Sequence, residues 1–329
     1  MTWLTGIAQT ARATECKPNA LGVERVIAVD PKEHTKVGTM QYDETLPLDD
    51  HEVVITFDDG PSPKYTDQIL AALDAQCVKA TFFMVGQMAK TFPAEARKVE
   101  AAGHTVGTHS FSHPFTFGKM TEAQAGEEVD KGIDAVAKAL GNASEVAPFF
   151  RVPGFLTSRA TEAALASRGL MTWSADVPAD DWKPIDSNEV VHRAISRLEA
   201  KGRGILLLHD IHQRTVAALP VILAQLKLNG FKVVQVIPSS STNPKTNTTP
   251  DQWKLPQAKP SLASQQTTSA SSAKNSKGGH GGKVSARLKD GATGATAVNG
   301  TSRPRSRRHR VATRHHSISA THASALNRT

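Results

Sequence analysis

The chain has 329 residues, 39% of them apolar, and a formal net charge of +8 at pH 7, enough apolar content to bury a substantial core in one large domain or two ordinary ones. The charge is uneven: residues 239–329 hold 15 Lys and Arg against Asp251 and Asp290, which leaves residues 1–238 at −5 of the total +8. That imbalance excludes a basic globular part and confines any attraction for a polyanion to the tail, while the absence of an 18-residue apolar run excludes an apolar transmembrane helix.

Residues 1–15 read as a truncated export signal, because Ala11-Arg12-Ala13 has the small-x-small form of a cleavage site. A frayed terminus is the alternative, since a basic leader is missing. Residues 16–50 read as an irregular N-terminal extension packed on the domain. Cys16 and Cys77, the only cysteines, fit one disulfide of an exported protein or, equally, two buried thiols.

From residue 51 to 238 short β-branched, apolar runs alternate with longer helical patterns. The strand pattern falls on 53–57, 79–85, 104–108, 148–152, 170–175, 204–208 and 231–237. Helical patterns fall on 66–76, 93–102, 121–140, 158–168, 188–201 and 215–229, several of them closed by Gly103, Gly169, Gly202 or Gly230. Seven near-continuous apolar strands in strict β-α alternation predict an α/β domain with a parallel sheet, open or closed into a barrel. Beyond Pro238 the chain turns to Ser, Thr, Pro, Gly, Asn and Lys, so 239–329 is expected to be a disordered basic tail. Its cluster 303–310 either contacts anionic polymers or surfaces or stays solvated; so short a cluster predicts no specific nucleic-acid partner.

Polar groups collect where the predicted strands end, which is where parallel α/β folds place their sites. Thr56-Phe57-Asp58-Asp59-Gly60-Pro61 follows the first strand, and two adjacent carboxylates aimed differently let one bind a metal while the other stays free as a base. His109 and His113, four residues apart after the third strand, can meet one ion. With Asp59 they make a two-His, one-carboxylate set with open positions. Arg151 ends a strand where it can clamp a carboxylate. Asp181-Trp182 follows another, with Asp176 and Asp180 nearby and unassigned. Leu206-Leu207-Leu208-His209 delivers a histidine at a strand end, the place for a general acid. Each piece has a plain structural alternative; together they converge.

In combination these residues resemble the five motifs of the polysaccharide deacetylase family, carbohydrate esterase family four, over roughly residues 50–237. The resemblance implies a distorted (β/α) barrel of about seven parallel strands and a metal-dependent hydrolase that removes acetyl groups from an N-acetylated polysaccharide such as peptidoglycan or a chitin-like polymer. It implies Asp58 as base, Asp59, His109 and His113 as ligands to a divalent metal (zinc by ligand chemistry and availability), Arg151 as the residue orienting the base, and Asp181 as partner of the acid His209. Leu207 and Trp182 match substrate-binding positions. Gly154 takes the oxyanion-donor position, although the family usually has an aromatic after Arg-x-Pro and this chain has Gly154 then Phe155. An acetylxylan esterase or other amidohydrolase on the same scaffold, and a non-catalytic glycan-binding protein, are the alternative readings. Export to the periplasm or outside the cell goes with a glycan substrate.

Overall fold

The computed structural model describes residues 16–255; segments 1–15 and 256–329, which carry the export-signal reading and most of the basic tail, lie outside the described residues. Among the described residues there are ten strands: β1 (Arg25–Val29), β2 (Lys36–Val37), β3 (Glu52–Asp58), β4 (Thr81–Met84), β5 (Thr105–Thr108), β6 (Val146–Arg151), β7 (Met171–Trp173), β8 (Val177–Pro178), β9 (Gly204–His209) and β10 (Lys232–Pro238). Seven of them fall on the seven predicted runs. Between them lie α1 (Thr66–Ala75), α2 (Gly86–Thr91), α3 (Pro93–Ala101), α4 (Glu122–Leu140), α5 (Arg159–Ala166), α6 (Ser187–Lys201) and α7 (Gln213–Leu228). Capping fixes the helix ends. Thr121 and Gln124 form a reciprocal box at the start of α4, and α6 begins at Asp186, whose carboxylate accepts the Glu189 N–H, and ends at left-handed Gly202.

Every strand pairing is parallel, in the order β1-β10-β3-β4-β5-β6-β7-β2, with β9 on the other side of β3 and β8 beside β9. Among the described residues no ladder joins β7 to β8, and this break makes the (β/α) barrel a distorted one. The period-two alternation of strand side chains then sorts two apolar layers. Val53, Ile55 and Phe57 of β3 pack outward with Leu206 and Leu208 of β9 against residues of α1, α3, α6 and α7. Val54, Ile205, Phe83, Phe149, Met171 and Trp173 point inward, joined by Ile27 and Val29 of β1 and Val234 and Val236 of β10. Burying each such side chain contributes about 1.5–3 kcal/mol, so the floor of the barrel is a packed apolar plug.

Two boundaries differ from expectation. The extension 16–50 is not irregular throughout: β1 pairs with β10, β2 pairs with β7, and a disulfide joins Cys16 to Cys77 with their Cα atoms 5.8 Å apart. Nor is the stretch 239–255 disordered. Ser239 and Thr246 donate their N–H groups to the Val29 and Ala28 carbonyls, Thr246 Oγ1 accepts from Ala28 N–H at 3.0 Å, and Trp253 is buried among the inward residues. The physical reason is that this stretch needs no periodic apolar face. It satisfies backbone groups of edge strand β1, and a single indole supplies the burial.

Candidate active site

The inward stripe of each strand changes character towards its C-terminal end. On β3 it runs Val54, Thr56, Asp58; on β9, Ile205, Leu207, His209; on β6, Ala147, Phe149, Arg151. Parallel register sets Thr56 beside Leu207 and Asp58 beside His209. The chain then turns sharply. Asp59 sits at φ 78°, and a Cβ on Gly60 would fall 2.2 Å from Asp210 Oδ2, so only glycine fits where the turn passes the Asp210 carboxyl. Burial pushes the Asp210 carboxyl up to about 7, against the Thr66 hydroxyl donating to it at 2.6 Å.

Asp59, His109 and His113 each offer one donor atom, and the three atoms lie within 4.8 Å of one another. Asp59 Oδ1 is 3.5 Å from His109 Nε2 and 3.3 Å from His113 Nε2. The other nitrogen of His109, Nδ1, is 2.7 Å from the Arg151 carbonyl; a carbonyl only accepts, so it selects the Nδ1–H tautomer and leaves the Nε2 lone pair facing the cluster. Burial lowers the His109 pKa although Asp58 and Asp59 lie nearby, which keeps the ring in the neutral, ligating form. Asp59 Oδ1 is buried without a hydrogen-bond partner. Three convergent donors, one of them an orphaned carboxylate oxygen, fit a divalent cation with open positions. Ser110 and His113 also have positive φ, concentrating backbone strain around the cluster.

Two buried ion pairs flank the cluster. The wholly buried Arg151 donates from Nη1 to Asp58 Oδ1 at 2.7 Å and to Thr56 Oγ1 at 2.8 Å, and from Nη2 to the Ser174 carbonyl at 3.0 Å. Its guanidinium lies 4.3 Å from the centre of the Phe83 ring. Desolvation lowers the Arg151 pKa, and the Asp58 carboxyl beside it opposes that. On the other flank, Asp181 takes three hydrogen bonds, from His209 Nδ1 at 2.7 Å, His209 N–H at 2.8 Å and Thr215 Oγ1 at 2.6 Å. Burial alone would lower the His209 pKa, but the Asp181 charge and hydrogen bond outweigh it and raise it to about 9. The ring is therefore an imidazolium at neutral pH, with Nε2 free to donate.

A cavity of about 410 Å³ opens over these groups, lined by Asp58, Asp59, His109, His113, Phe115, Val152, Gly154, Phe155, Trp182, Leu207 and His209. Gly154, Trp182 and Leu207 thus line the cavity with the charged residues, as the family resemblance implies. Asp176 and Asp180 do not. Asp176 accepts from Thr39, from Thr45 and from the Ile205 N–H, tying the N-terminal segment to β9, and Asp180 is bound by Lys183, Arg193 and Arg197. Sequence reasoning missed Thr215, which buttresses Asp181, and the aromatic pair Phe115 and Phe155. Thr215 lies in the first turn of a helix that follows His209, a position that can reach back to the strand end.

A family model described as polysaccharide deacetylase matches residues 46–173, a span that holds Asp58, Asp59, His109, His113 and Arg151 and stops before Asp181 and His209. A peptidoglycan-N-acetylglucosamine deacetylase of Bacillus cereus is 32% identical over 186 residues, covering 54% of this chain and 66% of that protein. A second protein of that name from the same organism is 31% identical over 196 residues, covering 58% of this chain and 89% of that one. Among solved structures, a peptidoglycan deacetylase of Bdellovibrio bacteriovorus superposes with a TM-score of 0.60 at 31% identity, over 70% of this chain and 63% of that one. The chain therefore belongs to the polysaccharide deacetylase family. It spans less than two thirds of the Bdellovibrio protein and 66% of the first Bacillus relative.

Proposed function

We propose that this protein is a metal-dependent hydrolase that removes N-acetyl groups from a glycan, with peptidoglycan as the substrate. The observation that carries the reading is the pair of buried ion pairs, Arg151–Asp58 and Asp181–His209, set on either side of the Asp59, His109, His113 cluster in one cavity. One supplies a proton acceptor and the other a proton donor, and amide hydrolysis needs both. The relatives' names supply the polymer.

Asp59, His109 and His113 would hold the cation, and two imidazoles with one carboxylate suit zinc; when bound it supplies Lewis-acid polarisation of the acetyl carbonyl and of water. Asp58, aimed by the Arg151 guanidinium, which Thr56 and the Ser174 carbonyl hold in turn, accepts the proton of the attacking water. Gly154 borders the cavity, where its backbone N–H can donate to the oxyanion, a contact worth about 3–4 kcal/mol. His209, protonated and oriented by Asp181, passes its Nε2 proton to the departing sugar nitrogen, so the leaving group is a neutral amine. Leu207 forms an apolar floor for the acetyl methyl, and Trp182 one wall for the sugar.

A periplasmic or extracellular location goes with this substrate, and the Cys16–Cys77 disulfide fits an oxidising compartment. Acetate release from N-acetylated peptidoglycan, chitin oligomers and acetylxylan, with and without a chelator, tests the reading. The expected result is release from peptidoglycan that the chelator abolishes. Release from acetylxylan alone would replace the amidase by an esterase, and no release from any of the three would leave a glycan-binding protein.

A further inference from the structure

We propose that Phe115 is a sugar-stacking residue that seats a neighbouring ring of the glycan beside the acetylated one. The inference rests on the deacetylase reading for its ligand class and goes beyond it by assigning a subsite. Phe115 is 75% exposed, so its ring is open to solvent at the rim of the cavity. It stands one residue past His113-Pro114, on the loop that carries the cluster, and its ring meets His113 edge to face at 5.1 Å. It also lines the cavity that holds Asp58 and His209.

The backbone opposite leaves the ring clear. Gly154, at φ 57°, carries no side chain, and even a Cβ added there would stay at ordinary contact distance, 3.9 Å, from Phe115 Cδ1. Across the cavity stands a second exposed aromatic, Trp182, 41% exposed and edge to face with His209 at 5.4 Å. One aromatic therefore adjoins the metal-ligand side of the site and the other the acid side. A pyranose presents an apolar face of C–H groups that packs on an aromatic ring, and its hydroxyls stay in water. With the acetyl group of one sugar directed into the cavity towards Leu207, the polymer leaves over the two rims, and Phe115 is the platform on the cluster side.

The test is the affinity of the metal-loaded Asp58→Asn protein for the N-acetylglucosamine tetramer, measured by calorimetry in a background that turns over slowly. Phe115→Ala is expected to weaken binding about tenfold, the size of one aromatic contact. Phe115→Trp should bind within about twofold of the parent, and Phe115→Leu should resemble Phe115→Ala, because the contact needs a flat face. All should melt at the parent temperature, since an exposed ring carries little of the fold. Unchanged affinity in Phe115→Ala, full affinity in Phe115→Leu, or no binding of the tetramer by the parent overturns the subsite. Acetate release by the unsubstituted protein from peptidoglycan, chitin oligomers and acetylxylan reports separately on the deacetylase reading. Phe115-dependent tetramer binding with no release from any of the three would sink that reading and support the subsite.

Discussion

The floor and the mouth of the barrel are built by the same strands and face the same interior, yet they are opposite in chemistry. Val54, Ile205, Phe149 and Trp173 fill the floor with side chains that are wholly buried. Two residues further along three of those strands the stripe reads Thr56, Leu207 and Arg151, and two further on β3 and β9 it reads Asp58 and His209. The mouth buries charges, and each is kept only because a partner holds it: Arg151 with Asp58, Asp181 with His209. Buried ion pairs add little net stability, since desolvation cancels most of the attraction. The floor is thus the part that holds the fold and the mouth the part that spends stability on chemistry.

That division can be tested from both ends, and the cluster is where the effect should be greatest. His113→Ala or Asp59→Ala should lose the bound cation and reduce acetate release to background while the fold persists, as read by metal analysis and circular dichroism. Stoichiometric metal retained in both variants would place the ligands elsewhere. Asp58→Asn should keep the cation but lower kcat by roughly 10²–10⁴, the contribution of a positioned base; a near-normal kcat would remove Asp58 from that role.

At the floor the pattern should invert. Trp173→Ala leaves a cavity under the site and should cost about 3–5 kcal/mol of stability in denaturant unfolding, with KM little changed well below the melting temperature. A variant that melts normally but loses turnover would blur the line between the two regions.

The smallest expected effect concerns pH. The His209 pKa of about 9 lies above its ordinary 6.5, so its protonation stabilises the fold fully below about pH 6.5. The contribution fades as pH climbs through 9. In the proposed mechanism the same titration sets the alkaline limb of the rate. Asp181→Asn removes the charge that opposes desolvation, so the His209 pKa should fall, the alkaline limb should move to lower pH, and the alkaline loss of stability should shrink. A limb that stays in place in Asp181→Asn would mean that another group is the acid.

Legibility in the sequence followed locality. Asp58, Arg151 and His209 end apolar runs, so strand alternation aims them at one mouth, while Asp59, His109 and His113 follow in the turns past β3 and β5; the motif set was readable before any coordinate. The seven predicted strands were readable for the same reason. Strands β1 and β2 were not, because Arg25 pairs with Val234 and Lys36 with Thr172, partners that no local window contains. The six-residue α2 is too short to display a period. The stretch 239–255 reads as a polar tail by composition and is held by backbone hydrogen bonds to β1, a bond type that composition does not encode. Asp181 was set apart in sequence by the Trp182 beside it, while Asp176 and Asp180 had no assigned role; their partners, threonines and the Ile205 N–H for one and lysine and arginines for the other, show them holding the fold.

Arg151 has two separate grips. Its guanidinium holds Asp58, and its carbonyl accepts the Nδ1–H of His109. One residue at the end of β6 therefore joins Asp58, the proposed proton acceptor, to His109, a proposed ligand, so the two do not vary independently. In a double-mutant cycle between Asp58 and His109, the free-energy losses should fail to sum, because either change alters the setting of the residue both lean on. Replacing Arg151 by lysine keeps the charge and the carbonyl but gives up the forked geometry, which separates the grips: base alignment should suffer while the imidazole tautomer is retained.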